Sequence, residues 1–183
     1  LAKTGATAAM KCSTRDLSIL LGQHHSSQSQ PSWGATTVAS TMVLAHAAAS
    51  GAIATFVTGG IGGVHRKAEL TMDISTDLTE LSRTPIVVVS AGIKSILDIR
   101  KTLEVLETLG VPVLTFRSNE FPAFFHAASG IDSPARVDNT TDIANYYHSA
   151  RQLQLQHGML IAVPPPVTDI QHGVDIESAI QAA

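Results

Sequence analysis

Residues 86–116, IVVVSAGIKSILDIRKTLEVLETLGVPVLTF, hold a strand, a helix and a second strand in succession. Ile86 to Val89 (IVVV) is an unbroken apolar run, as expected of a strand buried on both faces. From Ser95 to Leu109 the period changes to that of a helix: Ile96, Ile99, Leu103 and Leu106 share one face, and Arg100, Lys101, Glu104 and Glu107 lie elsewhere. Gly110 is placed to stop this helix, and Val111 to Phe116 (VPVLTF) returns to strand-like sequence. Continuous apolar strands joined by an amphipathic helix indicate a parallel pairing, because neighbouring parallel strands need a long crossover between them.

The same alternation extends in both directions. Toward the N-terminus, Thr76 to Ser82 reads as a short helix, and Ile53 to Thr58 (IATFVT) as a buried strand running into the glycines Gly59, Gly60, Gly62 and Gly63. Before it lies an Ala-rich helix, Ala35 to Ala49, with Gly51 placed to end it. Ser13 and Asp16 supply a cap-type residue and a first-turn acid ahead of Leu17, Ile19, Leu20 and Leu21, so a short helix is expected there, with Gly22 as its stop. Gln23 to Gly34 (QHHSSQSQPSWG) is polar and contains Pro31, the composition of a surface loop. Toward the C-terminus, a helix around Thr141 to Gln156, a strand at Met159 to Val163 (MLIAV) and a final helix from Asp175 continue the pattern. The expectation is a single α/β domain over residues 1–183, with a mainly parallel sheet flanked by helices.

Composition narrows the functions available. The 183 residues carry 12 Lys+Arg and 15 Asp+Glu, a net charge of −3, with 44% hydrophobic and 15% charged residues. Soluble domains average about 25% charged residues, so much of this surface is expected to be covered by a core, a subunit contact or further chain. A slight negative charge, no Lys/Arg cluster and 4% aromatics disfavour nucleic acid as a partner. The most apolar stretch, Ala35 to Val64, is broken by His46, Ser50 and glycines and does not read as a membrane span. Leu1 to Met10 has no continuous apolar segment of the kind a signal peptide needs, and a chain starting with Leu suggests a fragment. The single cysteine, Cys12, excludes an intrachain disulfide and suits a reducing compartment, where it reads as a small buried residue. His24 and His25 are adjacent on the polar loop and lack the fixed geometry of a metal pair.

In parallel α/β folds, ligands gather beyond the C-terminal ends of strands, which singles out three segments. Thr58 to Arg66 (TGGIGGVHR) has glycines that let backbone N–H groups approach an anion, although a tight structural turn accounts for them equally well. In Thr71 to Leu78 (TMDISTDL), Asp73 and Asp77 offer hard oxygen ligands suited to Mg²⁺ or Mn²⁺. The same residues are also explained by Ser75 or Thr76 as an N-cap and Asp77 as a first-turn acid. Lys94, in Ser90 to Ser95 (SAGIKS), stands between a strand end and a helix start, where the helix dipole disfavours an ammonium; a neutral amine is what Schiff-base chemistry requires. Lysines placed before helices are nevertheless mostly solvated, so position alone favours that reading.

Thr58 to Ile99 (TGGIGGVHRKAELTMDISTDLTELSRTPIVVVSAGIKSILDI) also resembles the core signature of the pseudouridine-5′-phosphate glycosidases, the indigoidine synthase A family. The likeness continues through Gly34 to Met42, Glu120 to Phe125 (EFPAFF), Arg136 to Asp138, Leu160 to Pro164 and Ile176 to Ile180, and more weakly at Lys11 and Ser13 to Leu17. It implies reversible splitting of pseudouridine 5′-phosphate, with water, into uracil and ribose 5-phosphate. The bond cleaved is C–C, so the leaving carbon offers no lone pair to protonate; a lysine adduct that opens the sugar ring divides the difficulty into separate steps.

Position by position, the resemblance makes Lys94 the nucleophile and Asp73 the ligand of one Mn²⁺ ion per subunit. It makes Lys11, Val38, Ser75, Thr76 and Asp77 substrate contacts, with Thr76 where alanine is usual. His65 belongs to the signature without an assigned role. A homotrimer in the cytoplasm is implied as well. Three departures stand out: Lys67 replaces a glycine usual after the His-Arg pair, Gln23 to Trp33 looks inserted, and family members are longer at both ends. No residue here matches the family's proton-donor glutamate, so the competing expectation is an inactive remnant that binds a sugar phosphate or a partner protein.

Overall fold

The computed structural model describes residues 9–25, 34–48, 50–166 and 178–179. Its centre is a five-stranded sheet in the order β3-β5-β9-β7-β8, built from β3 (Thr55–Val57), β5 (Val87–Ser90), β9 (Met159–Ala162), β7 (Val113–Phe116) and β8 (Arg136–Val137). Every pairing in it is parallel, in the registers Phe56↔Val88, Val88↔Leu160, Val113↔Leu160 and Thr115↔Arg136. The expected α/β architecture is therefore present. Residues alternate between two faces, as the period of a strand demands. On one face Val88, Leu160 and Val113 join Met42 of α2 (Val38–Ala48), Leu78 and Leu81 of α4 (Thr76–Leu81) and Leu106 of α5 (Ile99–Thr108) in the main core. On the other, Val87, Ile161, Leu114 and Val137 pack with Ile143 and Tyr147 of α6 (Thr140–Gln152).

The steps β3 to β5 and β5 to β7 run in one direction across the sheet with α4 and α5 on the first face; the step β8 to β9 runs back with α6 on the second. This is the arrangement that a single crossover handedness requires.

Smaller elements surround the sheet. β1 (Met10–Cys12) pairs in parallel with β2 (Gly34–Thr36), and β4 (Val64–His65) pairs antiparallel with β6 (Leu97–Asp98). α1 (Thr14–His25) and α3 (Ala68–Thr71) complete the set.

Several boundaries differ from the sequence reading, each for a local reason. The Ala-rich helix starts at Val38, because Thr37 and Ser40 cap it reciprocally: Thr37 N–H donates to Ser40 Oγ at 2.8 Å and Ser40 N–H to Thr37 Oγ1 at 3.3 Å. Gly34–Thr36 is thereby left to pair as β2. Gly22 does not end α1, which continues to His25, since an exposed glycine weakens a helix without breaking it. The long helix begins at Ile99 and not Ser95, with Asp98 as its N-cap accepting from Lys101 N–H at 3.0 Å. Ile96 accordingly falls outside the helix and is 51% exposed, while Thr102 takes a fully buried place on the inward face. β3 is an edge strand: Phe56 faces the core, but Val57 is 70% exposed. Most of the polar loop at residues 23–34 and of the helix from Asp175 lies outside the described residues.

Candidate active site

The Gly-rich segment after β3 is the hub to which the other two singled-out segments attach. Ala91 N–H donates to Gly59 O at 3.0 Å, Ile61 N–H to Gly92 O at 3.1 Å and Lys94 N–H to Ile61 O at 3.1 Å. These bonds extend the β3/β5 pairing beyond both strands, with Ile61 bridged to Ile93. Ile61 and Ile93 are fully buried, whereas Lys94 next to them is exposed. The backbone of Lys94 is thus fixed while its amine reaches solvent at the C-terminal end of the sheet. Asp98 and the residues between separate it from the first turn of α5, so the helix dipole does not act on it directly, contrary to the sequence reading.

On the other side of the hub, Ser75 N–H donates to Gly63 O at 2.9 Å and His65 N–H to Asp73 O at 3.0 Å. Gly62 makes that contact sterically possible: a Cβ there would lie 2.2 Å from Ser75 Oγ. Ser75 is the N-cap of α4 and accepts from Asp77 N–H at 3.2 Å, as one of the two alternatives had it. Thr76 is exposed at the start of that helix.

Asp77 behaves differently from a free ligand. It is 3% exposed, with Oδ1 accepting from Ala39 N–H at 2.8 Å and Oδ2 from Gly62 N–H at 2.7 Å. The carboxylate sits against the N-terminus of α2 and ties that helix to the Gly-rich segment. Nothing in the sequence announced this link, since its partners are 38 and 15 residues away.

Asp73 is on the surface, its side chain 62% exposed, with Oδ2 3.7 Å from His65 Nδ1. Among the described residues no group of three or more His, Cys, Asp and Glu is gathered as a ligand set. Val38 is 7% exposed and its side chain belongs to the main core, which leaves its backbone as the means of touching a ligand. Lys11 is exposed on β1, next to buried Cys12, whose carbonyl accepts from Thr37 N–H at 3.2 Å and Ser40 Oγ–H at 2.7 Å just before and within α2. Lys67 has φ of 63°, the left-handed conformation that a glycine adopts without strain. The sequence-derived residues therefore collect around residues 59–65, with Lys11 attached through the α2 N-terminus.

Pro122 and Phe121 close the hub from a third direction. Gly92 has φ of +105°, and a Cβ on it would stand 2.8 Å from Pro122 O and 3.2 Å from the Phe121 ring. Ala123 bridges Gly92 directly.

The complete chain, residues 1–183, matches the family model described as Indigoidine synthase A like protein. It is 47% identical over 183 residues to the pseudouridine-5′-phosphate glycosidase of Paracoccus denitrificans, covering 100% of this chain and 57% of that one. With the Arabidopsis thaliana protein of the same name it shares 53% identity over 150 residues, 82% of this chain and 44% of that one. Among solved structures it is similar to the prealnumycin C-glycosynthase AlnA in complex with ribulose 5-phosphate, with TM-score 0.86 and 36% identity over 98% of this chain and 56% of that chain. The chain spans about half the length of the curated relatives it matches.

Proposed function

The chain belongs to the indigoidine synthase A-like family, and on that premise we propose that it supplies the lysine-bearing part of a pseudouridine-5′-phosphate glycosidase. The observation that carries this reading is the anchoring of Lys94: its main chain is bonded to Ile61 of the Gly-rich segment while its side chain remains exposed beyond β5. A nucleophile needs a fixed origin and an accessible amine, and this position provides both.

In the proposed reaction the Lys94 amine forms a bond to C1′ of the ribose 5-phosphate moiety as the ring C1′–O4′ bond opens, and O4′ takes a proton. The electron pair of the C1′–uracil bond then passes to the uracil carbon, which is protonated, leaving an imine between Lys94 and the sugar. Water adds to that imine, releasing ribose 5-phosphate and returning the free lysine. Ser75 and Thr76 at the start of α4, the backbone at Val38 and the Lys11 ammonium are the groups that would hold the substrate. Asp77 holds the N-terminus of α2 and the Gly-rich segment in place.

Asp73 fits a hydrated divalent ion: it is a single exposed carboxylate, a hard oxygen donor with room for water around it. Mn²⁺, one per subunit, would be held there by Asp73 with water in the other positions. When bound it supplies positive charge against the substrate phosphate. No helix among the described residues is long and apolar enough to cross a membrane. The reading extends to a homotrimer in the cytoplasm, which sedimentation and cell fractionation would check.

The test uses the natural protein that carries this chain, supplied with Mn²⁺ and pseudouridine 5′-phosphate. Uracil release is expected, as is mass spectrometric detection of a borohydride-reduced ribose 5-phosphate adduct on Lys94. Lys94→Ala should lower turnover by about 10⁴-fold or more, the scale on which enzymes lose rate with their nucleophile. Unaltered turnover in that variant would eliminate the reading.

A further inference from the structure

Thr102, near the start of α5, is a polar side chain with no exposed surface, and its hydroxyl is used twice. Oγ1 donates to Asp98 O at 2.6 Å and accepts from Val64 N–H at 2.9 Å. The bond to the carbonyl four residues back is ordinary for a helical threonine, whereas the one to Val64 reaches 38 residues back into the Gly-rich segment. Gly63 leaves room for it: a Cβ there would lie 2.5 Å from Thr102 Oγ1 and 2.9 Å from Thr102 Cγ2.

Two segments of the candidate site meet at Val64. On one side β6 pairs with β4, Asp98 opposite Val64 and Leu97 opposite His65. β6 ends the short stretch that begins at Lys94, whose N–H is held by Ile61 O at 3.1 Å and whose carbonyl accepts from Leu97 N–H at 3.0 Å. Arg66 Nη2 donates to Ser95 O at 3.1 Å within the same stretch. On the other side Val64 bridges Ile74, flanked by His65 N–H to Asp73 O at 3.0 Å and Ser75 N–H to Gly63 O at 2.9 Å. β4 is only two residues long, yet it carries the lysine-bearing segment on one edge and Asp73 to Ser75 on the other. So short a strand has little rigidity of its own.

We propose that Thr102 is a positioning residue: by fixing Val64 to α5 it sets Lys94 against Asp73 and Ser75, so that the amine meets C1′ of a sugar phosphate held by the other segment. The inference rests on the reaction proposed above and adds to it a residue that acts through the backbone. Removing the hydroxyl leaves the buried Val64 N–H without its acceptor and frees β4 to shift against α5. A displacement of about 1 Å between reacting groups costs on the order of 10²-fold in rate. Substrate affinity should change far less, because no group that holds the substrate is removed.

The test uses the natural protein that carries this chain, supplied with Mn²⁺ and pseudouridine 5′-phosphate. Thr102→Val keeps the volume and deletes the hydroxyl; kcat and the rate of borohydride-trapped adduct formation on Lys94 should fall about 10- to 100-fold, while KM moves by less than about 3-fold. Thr102→Ser retains the hydroxyl and should keep kcat within about 3-fold of the parent. Leu106→Val, a buried change one turn further along α5, measures what lost packing alone does and should leave kcat within about 2-fold. Parental kcat in Thr102→Val, an equal fall in Leu106→Val, or a serine variant as slow as the valine one overturns the proposal. Amide exchange reads the same coupling without activity: Val64, His65 and Lys94 should exchange at least several-fold faster in Thr102→Val than in Leu106→Val, and equal exchange overturns the proposal. A parent protein that releases no uracil marks failure of the underlying reaction instead, and the exchange measurement then decides by itself whether Thr102 ties the two segments together. Should Thr102→Val not fold, Thr102→Cys, a weak hydrogen-bond partner of similar size, replaces it with the same expectations.

Discussion

Asp77 and Gly62, 15 residues apart, meet through a 2.7 Å hydrogen bond in which the glycine N–H donates to a carboxylate whose other oxygen holds Ala39 N–H at 2.8 Å. A buried anion beside the first turn of α2 faces the positive end of that helix dipole, so its charge is compensated by donors and by the helix together. Through these two bonds one side chain ties the Gly-rich segment to the start of α2.

Removing the carboxylate should therefore destabilise the fold. Asp77→Ala leaves two buried N–H groups without their acceptor, at about 1–3 kcal/mol each, so a total loss of about 2–6 kcal/mol is expected. Asp77→Asn keeps one acceptor oxygen and should lose about half as much. Urea denaturation measures both; an alanine variant within about 0.5 kcal/mol of the parent contradicts the clamp.

Gly62→Ala tests the same junction by volume. The added carbon would sit 2.2 Å from Ser75 Oγ, 2.6 Å from Ser75 Cβ and 2.8 Å from Asp77 Oδ2. Overpacking of a tight site typically costs about 1–3 kcal/mol, and here it adds to weakening of the Asp77 bond. A lowered denaturation midpoint is expected, with Ser75→Gly in the same chain restoring part of it because the two nearest atoms are gone. No recovery in the double variant would mean that the clash is relieved elsewhere.

Lys67→Gly should act in the opposite direction. At φ of 63° a residue with a Cβ loses about 1–2 kcal/mol, whereas a glycine's greater freedom in the unfolded chain costs about 0.4–1 kcal/mol. The first effect is the larger, so a net gain of up to about 1.5 kcal/mol is expected from thermal or urea unfolding. A lower melting temperature in the glycine variant would show that the lysine side chain contributes enough to outweigh its backbone.

Acid should weaken the start of α1. Asp16 is held below the usual carboxylate range first by the backbone N–H of Ser13, then by the Ser13 hydroxyl, with Arg15 adding charge. A carboxyl with a depressed folded-state pKa stabilises the fold above its unfolded-state value and ceases to do so as the pH falls through the folded one. The contribution is thus complete at neutral pH and disappears in acid. Carboxyl NMR titration should find Asp16 losing its charge at lower pH than it does in Ser13→Ala. Asp138, held down chiefly by its hydrogen bond to Arg136, should likewise titrate higher in Arg136→Gln.

Much of this molecule was readable from periodicity. β5, α5, β7 and β9 announce themselves as apolar runs or as an amphipathic stripe, because burial on one or two faces leaves that imprint on a chain. Short elements leave none: β4, β6 and β8 are each two residues long and exist only through their pairing. The displaced starts of α2 and α5 did have a signal, in Thr37 with Ser40 and in Asp98, which a search for caps would have used in preference to the first apolar residue. Cys12 is the small buried residue that its chemistry suggests, 2% exposed.

The site divides in the same way. Lys94, Asp73 and the glycines could be singled out because each lies just beyond a strand or before a helix, and sequence order alone determines that. Asp77 and Val38 could be named but not understood from sequence: their burial, and the direction in which the Asp77 oxygens point, come from α2 packing against α4 across a sequence separation of 38 residues. By itself the sequence determined the alternation of strands and helices, the parallel sheet and the chemistry on offer at strand ends, since those follow from local periodicity and residue type. Only the tertiary structure decided which carboxylate stays exposed at the surface and which is buried between backbone N–H groups, because hydrogen bonds between distant segments leave no periodic trace in a chain.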